Sequence, residues 1–373
     1  MAQTTGLEGV VAAETRLSHV DGERGELIIA GYPLAEFAAN ATFEEATWLL
    51  WHGRRPTSAE LAAFRRELAS KRSLPRATIA LLRDCAAAQI DPMDALRVGA
   101  GSISLTGDDA ATIAASIPSI VAAYWRLRNG SEPLPPRADL SHAANYLYML
   151  TGAVPEAERV RGVETYLNTV IDHGLNASTF TCRVICSTGS DLVSAIVGAI
   201  GALKGPLHGG APGPALETVF EIGDASRAEE VLRGKIERGE RLMGFGHRVY
   251  KVRDPRADVL AAAAERLYTR AGDMTLYRLA RDVEATALRL LEEYKPGRRL
   301  QTNVEFYTAL VLHGLGLDVP LFTPTFAIGR VSGWIGHAME QRAANRLIRP
   351  SSEYVGPRDL SWRGEAPRFA AAS

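Results

Sequence analysis

Along most of the chain, apolar residues return every three to four positions, the spacing that lines one face of a helix. Segments 61–71, 109–128, 138–151, 155–173 and 190–204 read this way, as do 226–238, 255–270, 276–294 and 304–315. Start signals sharpen several of them. Thr42-Phe43-Glu44-Glu45 and Thr57-Ser58-Ala59-Glu60 are capping boxes, the first opening a helix through Leu50, and Ser226 with Glu229 makes another. Thr323 as N-cap with Pro324 at the first helical position opens a last long helix ending near Leu347. Pro118 predicts a kink within 109–128. Residues 15–31 are the exception: Thr15–Val20 and Leu27–Ile29 flank Asp21-Gly22-Glu23-Arg24-Gly25, which suits a short hairpin. Strands and helices do not alternate, so a doubly wound sheet is excluded and a mainly helical fold is expected.

Length changes the picture first: 373 residues suit two domains or one large one. No linker marks a boundary. A net charge of −1, from 42 basic and 43 acidic residues, leaves no electrostatic footprint for nucleic acid, and the basic pairs such as Arg54-Arg55 and Arg298-Arg299 never extend into a run. Leu192–Leu203, read as the most apolar segment, is far short of the ~20 residues of a membrane span. The N-terminus shows no secretory signal. Cys85, Cys182 and Cys186 form no disulfide framework; Cys182 and Cys186, four apart on one helix face, read as structural, because no second pair completes a metal site. A soluble, cytoplasmic protein is expected, with no nucleic-acid or membrane partner.

Chemistry concentrates in two glycine-rich breaks and two helical stretches. Gly205-Pro206-Leu207-His208-Gly209-Gly210 presents an accessible histidine, fit to exchange a proton or polarise a carbonyl, or else a histidine in a structural turn. Gly244-Phe245-Gly246-His247 continues into Arg248, Lys251, Arg253 and Arg256, cations suited to a phosphate or carboxylate ligand, or else a solvated basic loop. It lacks the third glycine and preceding strand of a dinucleotide fold. Glu305, in Asn303-Val304-Glu305-Phe306-Tyr307, is a base with a raised pKa or a capping glutamate. Arg330, in an apolar stretch, and Arg349, before Pro350, need an anion, whether a ligand or an internal carboxylate. His173 lies at a predicted helix end, where the dipole favours charged imidazole. His19, His52, His142, His313 and His337 read as structural. Neither G-x-S-x-G nor G-x-x-x-x-G-K-[ST] occurs, and no H-x-x-x-H helix spacing supports zinc.

In this order and spacing, the segments 205–210, 244–256, 303–307 and 326–350 resemble the citrate synthase family. Gly6-Leu7-Glu8-Gly9-Val10-Val11, Asp21-Gly22, Gly31-Tyr32 and Asp172–Asp191 extend the likeness, toward the bacterial and archaeal branch, over almost the whole chain. The resemblance implies an all-α fold whose large domain (1–209 and 316–373) is interrupted by a smaller one (210–315), with the active site in the cleft between them. It implies condensation of acetyl-CoA with oxaloacetate, followed by hydrolysis of citryl-CoA to citrate and CoA. By motif position Glu305 is the base on the acetyl methyl, His208 stabilises the enol or enolate, and His247 donates to the oxaloacetate carbonyl. His173, Arg256, Arg330 and Arg349 grip the two carboxylates, with Arg349 reaching into a partner subunit of a homodimer. Arg241, Leu242, Met243, Gly244, Phe245 and Gly246 form the loop that holds adenine, and Lys251 lies near CoA phosphate. CoA is then substrate and product rather than a resident cofactor, and no metal is implied. The family's base is usually aspartate; the extra methylene of Glu305 moves the carboxylate about one bond length, and a shift of ~1 Å can cost ~100-fold in rate. The rival expectations are a 2-methylcitrate synthase using propionyl-CoA and a non-catalytic binder of CoA or dicarboxylate.

Overall fold

A computed structural model describes residues 5–7, 9–105, 107–209 and 212–358. β1 (Ser18–Asp21) and β2 (Glu26–Ile29) form the expected hairpin, with Val20 opposite Leu27. A third strand, β3 (Tyr32–Pro33), pairs with β2 and is too short for any alternation to announce it. Ten helices follow: α1 (Leu34–Asn40), α2 (Phe43–His52), α3 (Ser58–Ser70), α4 (Arg76–Ala87), α5 (Pro92–Gly101), α6 (Ala110–Arg128), α7 (His142–Thr151), α8 (Ala157–Thr169), α9 (Ala177–Ser187) and α10 (Leu192–Leu203). After the first glycine-rich loop come α11 (Pro212–Ile222), α12 (Ala228–Glu237), α13 (Pro255–Ala271), α14 (Thr275–Tyr294), α15 (Val304–Gly314) and α16 (Phe322–Ala343).

Both threonine capping boxes form: Thr42 and Thr57 each accept the N–H three residues on, and Glu45 and Glu60 reach back. Two other predicted starts are corrected. Ser226 and Glu229 make no capping box; Asp224 caps a 3₁₀ turn (Ala225–Arg227) by accepting from Ser226, while Glu229 pairs with Arg233 and Arg289. Thr323 lies inside α16, because a 3₁₀ turn at Val319–Leu321 leads straight into that helix; its hydroxyl donates instead to the Gly209 carbonyl at 2.8 Å. α16 ends at Ala343 rather than near Leu347, as Asn345 turns aside to donate to Ser187 O. α6 continues through Pro118.

The core is organised around α16, buried along nearly its whole length among α2, α5, α6, α8, α9 and α10. Glycines set its closest approach. A Cβ on Gly329 would lie 2.8 Å from Leu167 O, and one on Gly333 would collide with Ile171 O. The end of α8 and the turn after it therefore press on the α16 backbone. Cys182 and Cys186 face the same helix, their thiols 3.5 Å from the Trp334 and Ala338 carbonyls, as structural residues would. α11 to α15 pack largely on one another, with α13 also meeting α1 and α8. The hairpin turn docks on the second glycine-rich loop: Lys251 N–H donates to Gly22 O at 2.9 Å, and a Cβ on Gly22 would collide with Val249 O.

Among the described residues one helix, α6, is by itself long and apolar enough to cross a membrane; α10 is more apolar but too short. Most of α6 is buried against α3, α4, α5, α7 and α16, the position of a core helix.

Candidate active site

His208 follows α10 in a tight turn, its N–H donating to Gly205 O at 2.9 Å. Glycine is required next to it, because a Cβ on Gly209 would sit 2.5 Å from Leu203 O. The imidazole Nε2 receives the Ser178 N–H at 3.4 Å and lies 2.8 Å from the Ser178 hydroxyl, which also accepts from Trp334 Nε1 at 3.1 Å. The Ser178 N–H can only donate, which makes Nε2 an acceptor and leaves the ring proton on Nδ1; the hydroxyl does not decide the tautomer, because its own proton goes to Asn176 Oδ1 at 2.8 Å. Burial, helped by Arg330, pulls this histidine down to about 4. At neutral pH it is an uncharged donor.

His247 shows the opposite tautomer. Its Nδ1 accepts from the N–H groups of Val249 at 3.0 Å and Tyr250 at 3.1 Å, so the proton sits on Nε2. Nε2 lies 3.1 Å from Arg256 Nη2. Two donors side by side suit an oxygen placed between them. Burial, then Arg256, brings this ring to about 4 as well. The loop is tied to the start of α15: Gly246 N–H donates to Gln301 O at 2.7 Å, Asn303 N–H to Gly244 O at 2.9 Å, and Asn303 Nδ2 to Gly246 O at 2.9 Å. Both loop glycines need positive φ, 89° and 84°.

Those ties carry Glu305 to the histidine loop. Asn303 is the N-cap of α15 and accepts Glu305 N–H at 3.0 Å, so Glu305 is free of the capping role. Burial pushes its carboxyl up to about 7; Arg256 opposes the shift and Asp254 adds to it.

The cations divide by environment. Arg256 is buried and clamped by Asp254, Nε to Oδ1 at 3.0 Å and Nη2 to Oδ2 at 2.8 Å; burial works against its charge, but Asp254 prevails and raises its pKa. Arg330 is 1% exposed, donates Nε–H to Val170 O at 2.6 Å and lies 4.6 Å over the Phe326 ring. It has no ion pair among the described residues, and burial lowers it to about 10. Its guanidinium is the anion-seeking group of the site. His173 meets the Tyr250 hydroxyl at 3.1 Å. The expectation of a charged His173 is overturned: α8 ends four residues earlier, and burial, Arg256, Arg330 and His247 hold the ring well below its ordinary pKa.

The structure thus links these residues through the two arginines: His208 feels Arg330, His247 and Glu305 feel Arg256, and His173 feels Arg256, Arg330 and His247. Leu242, Gly244 and Phe245 are buried, Met243 and Gly246 half-buried. Arg241 is exposed yet acts on Glu305, and Lys251 is exposed yet acts on His247. Arg349 stays apart, exposed in the chain beyond α16. Gly210 lies outside the described residues, as does Glu8. No group of three or more metal-binding side chains occurs among the described residues. Sequence reasoning missed Ser178 and Asp254. Both carried a signal: Asn176 caps α9 two residues before Ser178, and Asp254 caps α13 before Pro255.

The family described as "Citrate synthase, C-terminal domain" matches residues 6–351. The chain belongs to the citrate synthase family. It is 41% identical to a citrate synthase of Haloferax volcanii over 96% of this chain and 97% of that one. It is 39% identical to a 2-methylcitrate synthase of Shewanella oneidensis, over 94% of each. Its fold matches a Thermoplasma acidophilum citrate synthase, solved as a ternary complex with carboxymethyl coenzyme A and oxaloacetate, at a TM-score of 0.87 and 30% identity, covering 96% of this chain and 97% of that one. As a member of the citrate synthase family, the chain is an enzyme.

Proposed function

We propose that this chain is a citrate synthase, an acyltransferase that turns the acyl group into an alkyl group on transfer. It condenses acetyl-CoA with oxaloacetate and water to give citrate and CoA. The arrangement that carries the reading is a half-buried carboxylate, Glu305, set with two uncharged histidines of opposite tautomer. A thioester methyl is a very weak acid, so its proton leaves only while the oxyanion forming on the thioester is stabilised. Glu305 takes that proton and His208 Nδ1–H faces the oxyanion. The enolate carbon then bonds to the ketone carbon of oxaloacetate. The ketone oxygen, becoming alkoxide, takes the proton of His247 Nε2. The imidazolate left behind is stabilised by Arg256 and by the two backbone N–H groups on Nδ1. Water then attacks the thioester carbonyl and gives a proton to the His247 imidazolate, while Glu305 returns its proton to the departing CoA thiolate, so both residues regain their starting states.

Arg256, Arg330 and His173 hold the carboxylates, and Arg349 of a second copy completes the grip in a homodimer. Residues 241–246 and Lys251 take CoA, which comes and goes as substrate and product. The same reading divides the chain into a large domain, 1–209 with 316–373, and a small one, 210–315. The three thiols are free, as suits the reducing cytoplasm. The test compares kcat/KM for acetyl-CoA and propionyl-CoA with oxaloacetate. A higher value for acetyl-CoA supports the proposal. A higher value for propionyl-CoA makes the chain a 2-methylcitrate synthase. Release of CoA thiol from neither overturns both.

A further inference from the structure

Asp172 is fully buried and immediately precedes His173. Its Oδ1 accepts Nε2–H of His337 at 3.1 Å; its Oδ2 accepts the Ser18 hydroxyl and, at 3.3 Å, the Gly174 N–H. His337 is as deeply buried, and its Nδ1 accepts from Arg183 Nη1 at 3.0 Å. Arg183 can only donate, so the ring proton lies on Nε2 and is committed to Asp172. Arg183 is itself held, Nε to Gln341 at 3.1 Å and Nη1 to Glu340 at 3.1 Å. His337 stands two turns after Arg330 on α16, with Gly333 between them. Asp172 Oδ1 is 3.0 Å from where a Gly333 Cβ would be, so only glycine lets the carboxylate reach this face.

Asp172 is the anion whose field acts on Arg330, yet no ion pair joins the two among the described residues. A free carboxylate beside a buried, unpaired arginine would be expected to close onto it, and the arginine would then be lost to substrate. Here His337 and Ser18 hold one carboxylate oxygen each, and the Gly174 N–H, shared between Ser18 Oγ at 2.9 Å and Asp172 Oδ2, braces the second. It supplies counter-charge at a distance and cannot turn. The same bonds fix the turn bearing His173.

We infer that Arg183, His337 and Asp172 form a positioning relay that ties Asp172 back, keeps the Arg330 guanidinium open for a substrate carboxylate, and sets His173 in place. This rests on the oxaloacetate reading above. None of the three is a catalytic residue; each acts through Arg330 or His173.

The experiment compares full-length wild-type protein with His337→Leu, His337→Gln and Ser18→Ala, reading KM for each substrate and oxaloacetate affinity by calorimetry. Glutamine can keep both bonds, since its amide donates and accepts. His337→Leu is expected to raise the oxaloacetate KM at least ~10-fold, the scale of one lost hydrogen bond to a charged group, while KM for acetyl-CoA moves less than ~2-fold. His337→Gln should restore the oxaloacetate KM to within ~3-fold of wild type, and Ser18→Ala should raise it ~3-fold. A folded His337→Leu protein with an unchanged oxaloacetate KM would overturn the relay. Should that variant fail to fold, an unchanged oxaloacetate KM in Ser18→Ala overturns it. Wild-type protein that neither binds nor turns over oxaloacetate would overturn the function first and the relay with it.

Discussion

Glu305 and the two histidines show how environment assigns roles to ordinary side chains. Burial lifts the carboxyl to about 7 and lowers His208 and His247 to about 4. The base works only when ionised, so kcat/KM for acetyl-CoA should fall as pH drops through about 7, with both histidines uncharged throughout that window. A pH–rate profile flat from 8 down to 5 would refute this. Arg330 makes a second residue-scale case. It is buried without an ion pair, a state that costs stability and is retained for ligand. Arg330→Met should therefore unfold no earlier than wild type on heating, while its oxaloacetate KM rises ~100-fold or more. The sequence showed these residues through their glycine-flanked or apolar settings. It misjudged the charge of His173, because the opposing arginines lie 83 and 157 positions away along the chain and only the fold brings them near (256 − 173 and 330 − 173).

Elements were legible where their end signals are local. Thr42 and Thr57 announce α2 and α3 because both halves of the box lie within four residues. Thr323 misled for a reason of tertiary structure: its hydroxyl serves the Gly209 carbonyl, across the molecule. β3 has two residues and offers no period; α4 begins at a proline without a side-chain cap, so its start is unsigned, although its buried Thr78, Leu82 and Ala86 recur every four residues. α5, by contrast, carried a readable Asp91-Pro92 start that was missed. The His208 turn depends on glycine for space rather than for φ. In Gly209→Ala the new Cβ meets backbone at 2.5 Å, which should destabilise the protein by ~1–3 kcal/mol and displace His208. The expected result is a kcat reduced well beyond the loss of folded protein. Unchanged kcat per folded molecule would show that the turn tolerates the shift.

For the whole molecule, a net charge of −1 excluded a nucleic-acid footprint and concealed a cationic centre: Arg256 and Arg330 converge with three uncharged histidines. Helix pairings such as α8 with α16 stayed illegible, because apolar faces of similar composition do not name their partners. Arg349 belongs to this scale. It is exposed in one chain, and a shared site would explain it. Co-expressed Arg349→Ala and Glu305→Gln chains, each inactive alone, should regain a fraction of wild-type rate, because one mixed site is intact; no recovery in a verified mixed dimer would place Arg349 outside the site. The most direct test of the account joins binding to turnover in one variant. Glu305→Gln, assayed for CoA release from acetyl-CoA and titrated with oxaloacetate, should lose condensation by ~10²–10⁴-fold while binding oxaloacetate nearly as wild type does. Full activity in that variant would contradict the assignment of Glu305 as the base and the mechanism built on it.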